Sequence, residues 1–375
     1  MKKTLIVLTI FALIGCGNQS NQNIQKKQNA QTSQKQYTLD EDIGMMLLIG
    51  FRGIAIDSTH HIWRDICDYH VGSVILFDYD APTGTRGRNI KNPIQLKQLC
   101  QQLHGLSPTL LIGIDQEGGY VSRFSTRYGF PYIISAQHSA NLGDDTVRHY
   151  AHLTADMLHG LGINLNFAPV ADVNVNPQCP VIGGLERSFS ADEKRVSQLC
   201  RIWIDEQQQQ DIISCMKHFP GHGSARGDTH KGLVDVSDTW QKRELEPYRN
   251  LPTEGIMVMT AHVVNRRLDP SGLPASLSPK ITSLLRDTLG FNGVIVTDDL
   301  AMGAIANHYT LEQTIRMAIE AGADMLCLSN NGAGGYNADI VPMAVKIIRK
   351  LVDEGTISPD RIHQSAMRIR HLQTK

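Results

Sequence analysis

The stretch that decides the fold reads GVIVTDD, from Gly293 to Asp299. Its aliphatic and β-branched residues follow one another without polar alternation, which is typical of a strand that is covered on both faces. The glycine before the run and the two acids at its end mark where the chain enters and leaves the buried layer. We therefore predict a short buried strand at Val294–Asp298.

Seven more runs of the same kind are spaced along the chain. They are Met45–Phe51, Val71–Phe77, Thr109–Asp115, Ile163–Val170, Ile213–Phe219, Ile256–Val263 and Asp324–Leu328. With helical patterns between them, these strand-then-helix units predict an α/β fold, a single (β/α)8 TIM-type barrel. A doubly wound open sheet is the alternative.

Three helix starts can be placed from the sequence. Ser190 is followed by Glu193 in the spacing of a capping box. Ser278 and Ser358 each precede a proline, the residue that fits the first turn of a helix. We predict that helices begin at these three serines.

The composition is that of an ordinary globular protein. The chain has 375 residues, of which 41% are hydrophobic, with 36 Lys and Arg against 37 Asp and Glu. A net charge near zero gives no attraction for a nucleic acid, so no such partner is expected. We find no linker after residue 40 and predict one barrel domain over residues 37–375, acting as a monomer.

The first 36 residues have a different character. Lys2 and Lys3 precede an apolar stretch, Leu5–Ile14, that is too short to span a bilayer but suits a signal peptide. The stretch ends in Leu-Ile-Gly before Cys16, which resembles a bacterial lipobox. The resemblance implies a signal peptide at 1–15 and lipidation of Cys16, which would attach the protein to a membrane. The alternative is a plain secretory signal in which Cys16 is incidental.

Residues 17–36 are rich in Asn, Gln, Ser and Lys. Such a segment cannot bury enough apolar surface to offset its ordering entropy, so 16–36 is predicted to be a lipidated, disordered tether. The expected location is the cell envelope, on the outer membrane or the periplasmic face if the source has two membranes.

The six other cysteines are scattered and form no Cys-x-x-Cys pair. We expect them to be core or near-core thiols, with a single disulfide left open as an alternative. They are Cys67, Cys100, Cys179, Cys200, Cys215 and Cys327.

The segment KHFPGHGSARGDTH, from Lys217 to His230, follows a predicted strand and continues as a glycine-rich loop. The four-residue spacing of His218 and His222 raises the alternative of a metal site. Pro-Gly between them excludes the helix that would place both on one face. We therefore expect no metal and no cofactor.

Asp228 and His230, near the end of this loop, form an Asp-x-His pair. On an extended segment, residues two apart point to the same side, so the carboxylate can hold the imidazole. A carboxylate partner fixes the tautomer and stabilises the imidazolium, as acid/base chemistry near neutral pH requires. The pair alone is a weak signal, since many loops contain one.

Polar residues also end other predicted strands. Asp115, Lys217, His262 and Asp298 come directly at strand ends, and in barrels such ends converge on one face. A carboxylate held rigidly by a strand is well placed to act as a nucleophile. Asp298 and its neighbour Asp299 compete for that role, and because adjacent side chains diverge only one of them can face the barrel axis.

These segments together resemble family-3 glycoside hydrolases, in their β-N-acetylglucosaminidase (β-N-acetylhexosaminidase) branch. The likeness covers the chain after the tether, and it rests on order and spacing. The segments are Asp115–Gly119, Gly162–Asn164 through Ala168–Val170, Glu186–Ser190, Lys217–Gly223, Asp228–His230 and Thr297–Met302.

The resemblance assigns roles at matching positions. Asp298 matches the nucleophile, His230 the acid/base and Asp228 the partner of that histidine. The positions that hold the terminal sugar correspond to Asp115, Arg123, Arg187, Lys217 and His218.

Two departures concern the leaving-group side of the expected pocket. Tyr120 stands where the family usually has an arginine, and residues 78–88 form a longer loop than usual that could add a wall over the site.

The implied activity is that of a retaining exo-β-N-acetylglucosaminidase. It would remove terminal β-linked N-acetylglucosamine from peptidoglycan fragments or other glycans through a covalent glycosyl-enzyme. The alternatives are a β-N-acetylglucosaminide phosphorylase or a β-glucosidase of the same family. A non-catalytic cell-wall-binding lipoprotein is the alternative from another class.

Overall fold

Eight parallel strands form the centre of the computed structural model, which describes residues 37–249, 255–332 and 334–374. The strands are β1 (Leu47–Gly50), β2 (Ser73–Leu76), β3 (Leu111–Ile114), β4 (Leu165–Asn166), β5 (Ile213–Phe219), β6 (Ile256–Thr260), β7 (Val294–Thr297) and β8 (Leu326–Leu328). Each lies within one of the predicted runs. Their spatial order is β7-β6-β5-β4-β3-β2-β1-β8, and all their pairings are parallel.

The sheet closes between β7 and β8, where a parallel bridge joins Val296 to Met325. The Thr297 N–H donates to the carbonyl of Met325 at 3.1 Å. Beyond the strand ends, the Asp299 carboxylate accepts from the Ser329 hydroxyl at 2.5 Å and from the Ser329 N–H at 3.0 Å. The predicted barrel is therefore confirmed, and the open-sheet alternative is wrong.

Helices surround the barrel; the first precedes β1 and the others follow strands in sequence. Their bounds are Leu39–Met45, His61–Cys67, Pro93–Leu106, Ala136–Leu142, Asp144–Leu161, Glu193–Gln208, Pro279–Ser283, Gly303–Ala306, Leu311–Ala321, Ile340–Asp353 and Pro359–Gln373.

Two of the three predicted helix starts are confirmed. Ser278 and Ser358 cap their helices, their hydroxyls accepting from the backbone N–H groups three residues later. The start at Ser190 is wrong, because Asp192 caps the helix instead and Ser190 accepts from the Asp192 N–H at 3.0 Å. Aspartate caps as well as serine does, and here it stands immediately before the first helical turn.

The barrel strands are almost entirely buried, as the unbroken apolar runs predicted. Among the described residues, the six cysteines after Cys16 are free thiols, and five of them are buried as predicted. The prediction is wrong for Cys67, which is exposed at the end of the helix His61–Cys67. No helix in the described part of the chain has the length and apolarity needed to cross a bilayer. The predicted signal peptide, Cys16 and the tether lie outside the described residues.

Two short hairpins extend the strand ends on the same side of the barrel. One pairs Tyr79–Asp80 with Thr85–Arg86 after β2, and the other pairs Gln116–Gly118 with Val121–Ser122 after β3. They build up the rim around the mouth of the barrel.

Candidate active site

A cavity of about 370 Å³ opens at the carboxyl ends of the barrel strands. Of the predicted site residues, all but Asp228 and the lipidation site line it: Asp115, Arg123, Arg187, Lys217, His218, His230 and Asp298. Residues at the ends of three strands, β3, β5 and β7, and from three loops thus meet in one place, because strand ends converge at one face of a barrel.

Asp298 follows the last residue of β7. Its backbone N–H donates to the Thr260 carbonyl at 3.0 Å, which ties it to β6, and its Oδ1 accepts from the Asp299 N–H at 2.8 Å. Burial would raise the pKa of Asp298, but the imidazoles of His262, His218 and His230 outweigh it and hold this pKa below its usual value. Asp298 is therefore an ionised carboxylate facing the cavity.

Asp299 is occupied by structural hydrogen bonds. Besides the two bonds from Ser329, its Oδ1 accepts from the Ala301 N–H at 3.2 Å. Burial raises the pKa of Asp299 despite these bonds. The two neighbouring acids therefore have different partners and opposite pKa shifts, and only Asp298 keeps an oxygen without a structural partner.

His230 stands at the mouth of the cavity, with 64% of its side chain exposed. Asp228 Oδ1 accepts from His230 Nδ1 at 2.8 Å and from the His230 N–H at 2.9 Å. Burial would raise the pKa of Asp228, but these two bonds and the imidazole charge lower it. The predicted contact is present, with Asp228 behind the imidazole.

The predicted backbone around this pair is wrong. Residues 228–231 form a turn rather than an extended segment, closed by a bond from the Lys231 N–H to the Asp228 carbonyl at 3.0 Å. Aspartate favours such turns, because its side chain can accept from the backbone N–H two residues later.

The loop that carries His230 is joined to the segment after Asp298. The Gly303 N–H donates to the His230 carbonyl at 3.2 Å, and the Ala304 N–H donates to the Thr229 carbonyl at 3.1 Å. Glycine is needed at position 303, since a Cβ there would lie 2.7 Å from the His230 carbonyl oxygen. The residues predicted to be the nucleophile and the acid/base are thus linked through one short helix, Gly303–Ala306.

A buried ionic network forms the opposite wall. Lys217 Nζ lies 2.7 Å from Asp115 Oδ1 and 2.7 Å from Glu117 Oε1. Arg187 makes a bidentate pair with Glu117 at 2.7 and 2.8 Å, and Arg123 lies 3.1 Å from Asp115. Burial would raise the pKa values of both carboxyls, but the surrounding cations hold them below their usual range. Such a chain of fixed charges presents hydrogen-bonding groups to a polar ligand in a set geometry.

His218 is held from behind by a second buried carboxylate. Asp172 Oδ2 lies 2.6 Å from His218 Nδ1, and its Oδ1 accepts from the backbone N–H groups of His218 and His222. The other ring nitrogen, Nε2, lies 3.4 Å from Arg187 and faces the cavity. His222 also lines the cavity; its Nε2 lies 3.2 Å from Thr229 Oγ1, its Nδ1 is buried without a hydrogen-bond partner, and burial lowers its pKa to about 4.

The sequence did not single out Glu117 or Asp172 as site residues. Glu117 lies two residues after Asp115, a spacing that places both side chains on one side of an extended chain, and this signal could have identified it. Asp172 is a lone acid inside the apolar stretch Ala168–Val173, where an ionised group requires a partner. His262 contacts Ser276 Oγ at 2.7 Å and the Asp299 carbonyl at 2.9 Å, so it supports the floor of the site.

No group of three or more His, Cys, Asp or Glu side chains within residues 37–249, 255–332 and 334–374 is arranged to hold a metal ion. Tyr120, which replaces the expected arginine, is 71% exposed and does not line the cavity. The loop at residues 78–88 does form a wall, because Tyr79 and Ala81 line the cavity.

Comparison with known proteins identifies the family of this chain. Residues 38–372 match the model of the glycosyl hydrolase family 3 N terminal domain. A β-hexosaminidase of Alkalilimnicola ehrlichii is 33% identical over 329 residues, which are 84% of this chain and 87% of that protein. A β-hexosaminidase of Nitrosomonas eutropha is 34% identical over 298 residues, covering 76% and 80% of the two chains.

A solved structure supports the relationship. The family 3 β-N-acetylglucosaminidase of a Paenibacillus species superimposes with a TM-score of 0.80 at 33% identity, over 90% of this chain and 62% of that enzyme. The barrel, the cavity at its carboxyl end and these likenesses agree. The chain belongs to glycosyl hydrolase family 3, and it is a glycoside hydrolase whose curated relatives are β-hexosaminidases.

Proposed function

We propose that this protein is a retaining exo-β-N-acetylglucosaminidase, with Asp298 as nucleophile and His230 as acid/base, oriented by Asp228. One observation carries the proposal: an ionised carboxylate with an unpartnered oxygen and a carboxylate-held imidazole face the same cavity. The loop that holds the imidazole is bonded to the segment following the carboxylate. The relatives named β-hexosaminidase and β-N-acetylglucosaminidase support the choice of sugar.

The reaction proceeds in two steps. Asp298 attacks the anomeric carbon and forms a covalent glycosyl-enzyme, while His230 gives its proton to the departing oxygen. Water then takes the place of the leaving group, and His230 removes its proton as the sugar is released from Asp298. A neutral imidazole as the base avoids placing a second carboxylate beside the nucleophile, where like charges would oppose each other's ionisation.

The buried network holds the terminal sugar during both steps. Asp115, Arg123, Lys217, His218 and Arg187 offer fixed donors and acceptors to its hydroxyl groups. Because these charges are already paired within the protein, little reorganisation is needed when the sugar binds. Arg187 and His218 are positioned in turn by Glu117 and Asp172.

We further propose that the substrates are peptidoglycan fragments or other glycans ending in N-acetylglucosamine. The enzyme would meet them in the cell envelope, attached to a membrane through lipidated Cys16. Metabolic labelling with a fatty acid tests the anchor, because a Cys16→Ser variant would lose the label if the lipobox is real.

The activity is tested with an aryl β-N-acetylglucosaminide and proton NMR of the sugar that forms first. We expect the β-anomer initially, since two displacements retain the configuration. Initial release of the α-anomer would overturn the covalent mechanism. Adding inorganic phosphate distinguishes the phosphorylase alternative, which would produce N-acetylglucosamine 1-phosphate instead of the free sugar.

A further inference from the structure

Thr229 stands in the middle of the turn that carries the proposed acid/base, and its side chain is buried. The residue is 2% exposed, whereas the side chains of its neighbours Asp228 and His230 are 21% and 64% exposed. Its hydroxyl oxygen lies 3.2 Å from His222 Nε2, and its carbonyl accepts from the Ala304 N–H at 3.1 Å. The side chain and the backbone of Thr229 therefore both attach this exposed turn to the barrel.

His222 is a rigid partner for that hydroxyl. Its backbone N–H donates to Asp172 Oδ1 at 2.7 Å, and its carbonyl accepts from the Ala225 N–H at 3.2 Å. The next residue, Gly223, packs so closely on Val173 that a Cβ would lie 1.8 Å from the Val173 carbonyl oxygen. Because its backbone is fixed in this way, the imidazole holds the threonine hydroxyl at a set position.

One buried carboxylate joins this contact to the wall that is proposed to bind the sugar. Asp172 Oδ2 lies 2.6 Å from His218 Nδ1, while Asp172 Oδ1 accepts from the backbone N–H of His222. The centres of the two imidazole rings, of His218 and His222, are 5.9 Å apart. Contacts thus run without a gap from the sugar-binding imidazole to the turn that carries His230.

The contact between His222 and Thr229 carries no charge at neutral pH. Burial lowers the pKa of His222 to about 4, so its imidazole is neutral there. A hydroxyl can donate or accept, so the bond persists whichever ring nitrogen of His222 has the proton. The contact therefore changes the charge around Asp298 and His230 little, and its effect on them is one of position.

We propose that Thr229 and His222 form a positioning pair, which fixes the acid/base turn to the wall that binds the terminal sugar. The pair holds the backbone beneath His230, so that the exposed imidazole approaches the departing oxygen from a defined place. Neither Thr229 nor His222 takes part in the bond changes, and both act through His230. This inference rests on the proposed function and deepens it, because the position of the acid then depends on the network that holds the sugar.

The test removes the hydroxyl and compares two leaving groups. Thr229→Val leaves His222 Nε2 buried without its partner, so the turn should move. For GlcNAc-β-1,4-GlcNAc we expect kcat/KM to fall about tenfold, because a small displacement of a catalytic group slows the reaction. For an aryl β-N-acetylglucosaminide with a good leaving group, kcat/KM should fall less than about twofold, since the departing oxygen needs little protonation. Thr229→Ser restores the hydroxyl and should recover most of the disaccharide rate.

A double-mutant cycle shows whether the two residues act through one bond. His222→Phe keeps a ring and removes the nitrogen that contacts Thr229. If the bond is what matters, each single variant and the double variant should lose about the same activity on the disaccharide. Losses that multiply in the double variant would overturn the pair, because the two residues would then act separately.

The control is Thr282→Val, which removes the hydroxyl of a threonine that is also buried, at 3% exposure. Thr282 lies on the helix Pro279–Ser283, outside the cavity, and its variant should leave both rates unchanged. Thr229→Ala removes the same hydroxyl as Thr229→Val with less bulk and should repeat its pattern, which keeps the test decisive if the valine variant does not fold. Circular dichroism checks the folding of each variant.

The possible failures can be told apart. If the wild type does not hydrolyse the aryl β-N-acetylglucosaminide, or if His230→Ala loses the same activity on both substrates, the proposed function fails and this inference fails with it. If both of those results are as expected but the Thr229 variants keep wild-type rates, or lose equally on both substrates, only the positioning pair is overturned.

Discussion

Two walls of the same cavity differ in burial and in how their charged side chains are held. Lys217, in the ionic network, has 3% of its side chain exposed and two carboxylates at 2.7 Å. His230, across the cavity, is 64% exposed and has one carboxylate partner, two residues away in the chain. The side chains of the first wall are fixed by partners far apart in sequence, whereas the His230 imidazole is held by a carboxylate in its own turn.

This difference in burial matches the two proposed roles: the buried wall binds the terminal sugar, and the exposed His230 transfers the proton. Removing one member of a buried ionic network leaves another charge desolvated, so the network tolerates little movement. The backbone of His230 is bonded to Gly303, but its exposed side chain can shift at small cost. Acid/base groups on loops often complete their geometry only when the ligand is bound. We infer that the terminal sugar meets a prepared wall and that His230 adjusts to the bond that is cleaved.

The largest effect is expected when Asp298, which lies between the two walls, is replaced. Asp298→Ala should lower kcat on the order of 10⁴-fold or more, since a nucleophile is rarely replaced by its surroundings. Asp299→Ala, assayed well below its unfolding temperature, should keep activity within about tenfold of the wild type. Steady-state kinetics on an aryl glycoside measures both. If Asp299→Ala is the inactive variant, the two roles are reversed.

His230→Ala tests the exposed wall alone. For a disaccharide we expect kcat/KM to fall by about 10²- to 10⁴-fold, the usual contribution of a positioned acid. An aryl glycoside with a good leaving group should lose less, because its departing oxygen needs less protonation. The free energy of unfolding should change by less than about 0.5 kcal/mol, as expected of an exposed residue.

The surface variant His149→Ala, on the helix Asp144–Leu161, serves as a control with no expected effect. Equal losses on the disaccharide and the aryl glycoside would contradict the acid role of His230.

Glu117→Gln tests the buried wall. It removes the carboxylate between Lys217 and Arg187 and should destabilise the fold by about 3–5 kcal/mol, the cost of breaking a buried pair. KM should rise as well, because Arg187 loses its orientation. Glu206→Gln is the matched control: Glu206 is also buried and paired, with Arg148, but lies outside the cavity. Urea denaturation and kinetics together should find a raised KM only in the first variant.

The smallest expected effect is on the pH dependence of stability. Asp115 and Glu117 have folded-state pKa values below their ordinary 3.8 and 4.5. A depressed pKa contributes stability that is complete above the unfolded value and is lost as pH falls through the folded value, so unfolding should become easier below about pH 5. Glu117→Gln should show a shallower decline than the wild type. An equal slope would mean that Glu117 is not held ionised by its cations.

Much of this architecture follows from local pattern. The eight apolar runs located all eight barrel strands, because a strand covered on both faces must be apolar along its length. The run at 163–170 was too long, since only Leu165–Asn166 pairs regularly. The residues predicted for the site meet in one cavity because strand ends converge in a closed barrel.

What the sequence did not provide were contacts between residues far apart. Asp172 lies 46 residues before His218, and Glu117 lies 70 residues before Arg187. No local spacing in the sequence therefore predicts that either carboxylate pairs with its partner. The turn at Asp228 was missed for another reason. An aspartate side chain that bonds its own backbone competes with the extended conformation, and the sequence alone did not decide that competition.

The bonds between Asp299 and Ser329 have a consequence for how the enzyme fails when heated. These bonds close the barrel between β7 and β8, one residue away from Asp298. If β7 and β8 separate first on heating, the barrel therefore opens beside the Asp298 carboxylate. Inactivation should therefore accompany the first separation of these strands and precede the loss of helical signal. Of the two adjacent acids, one faces the cavity as the proposed nucleophile and the other joins the two strands at which the barrel closes.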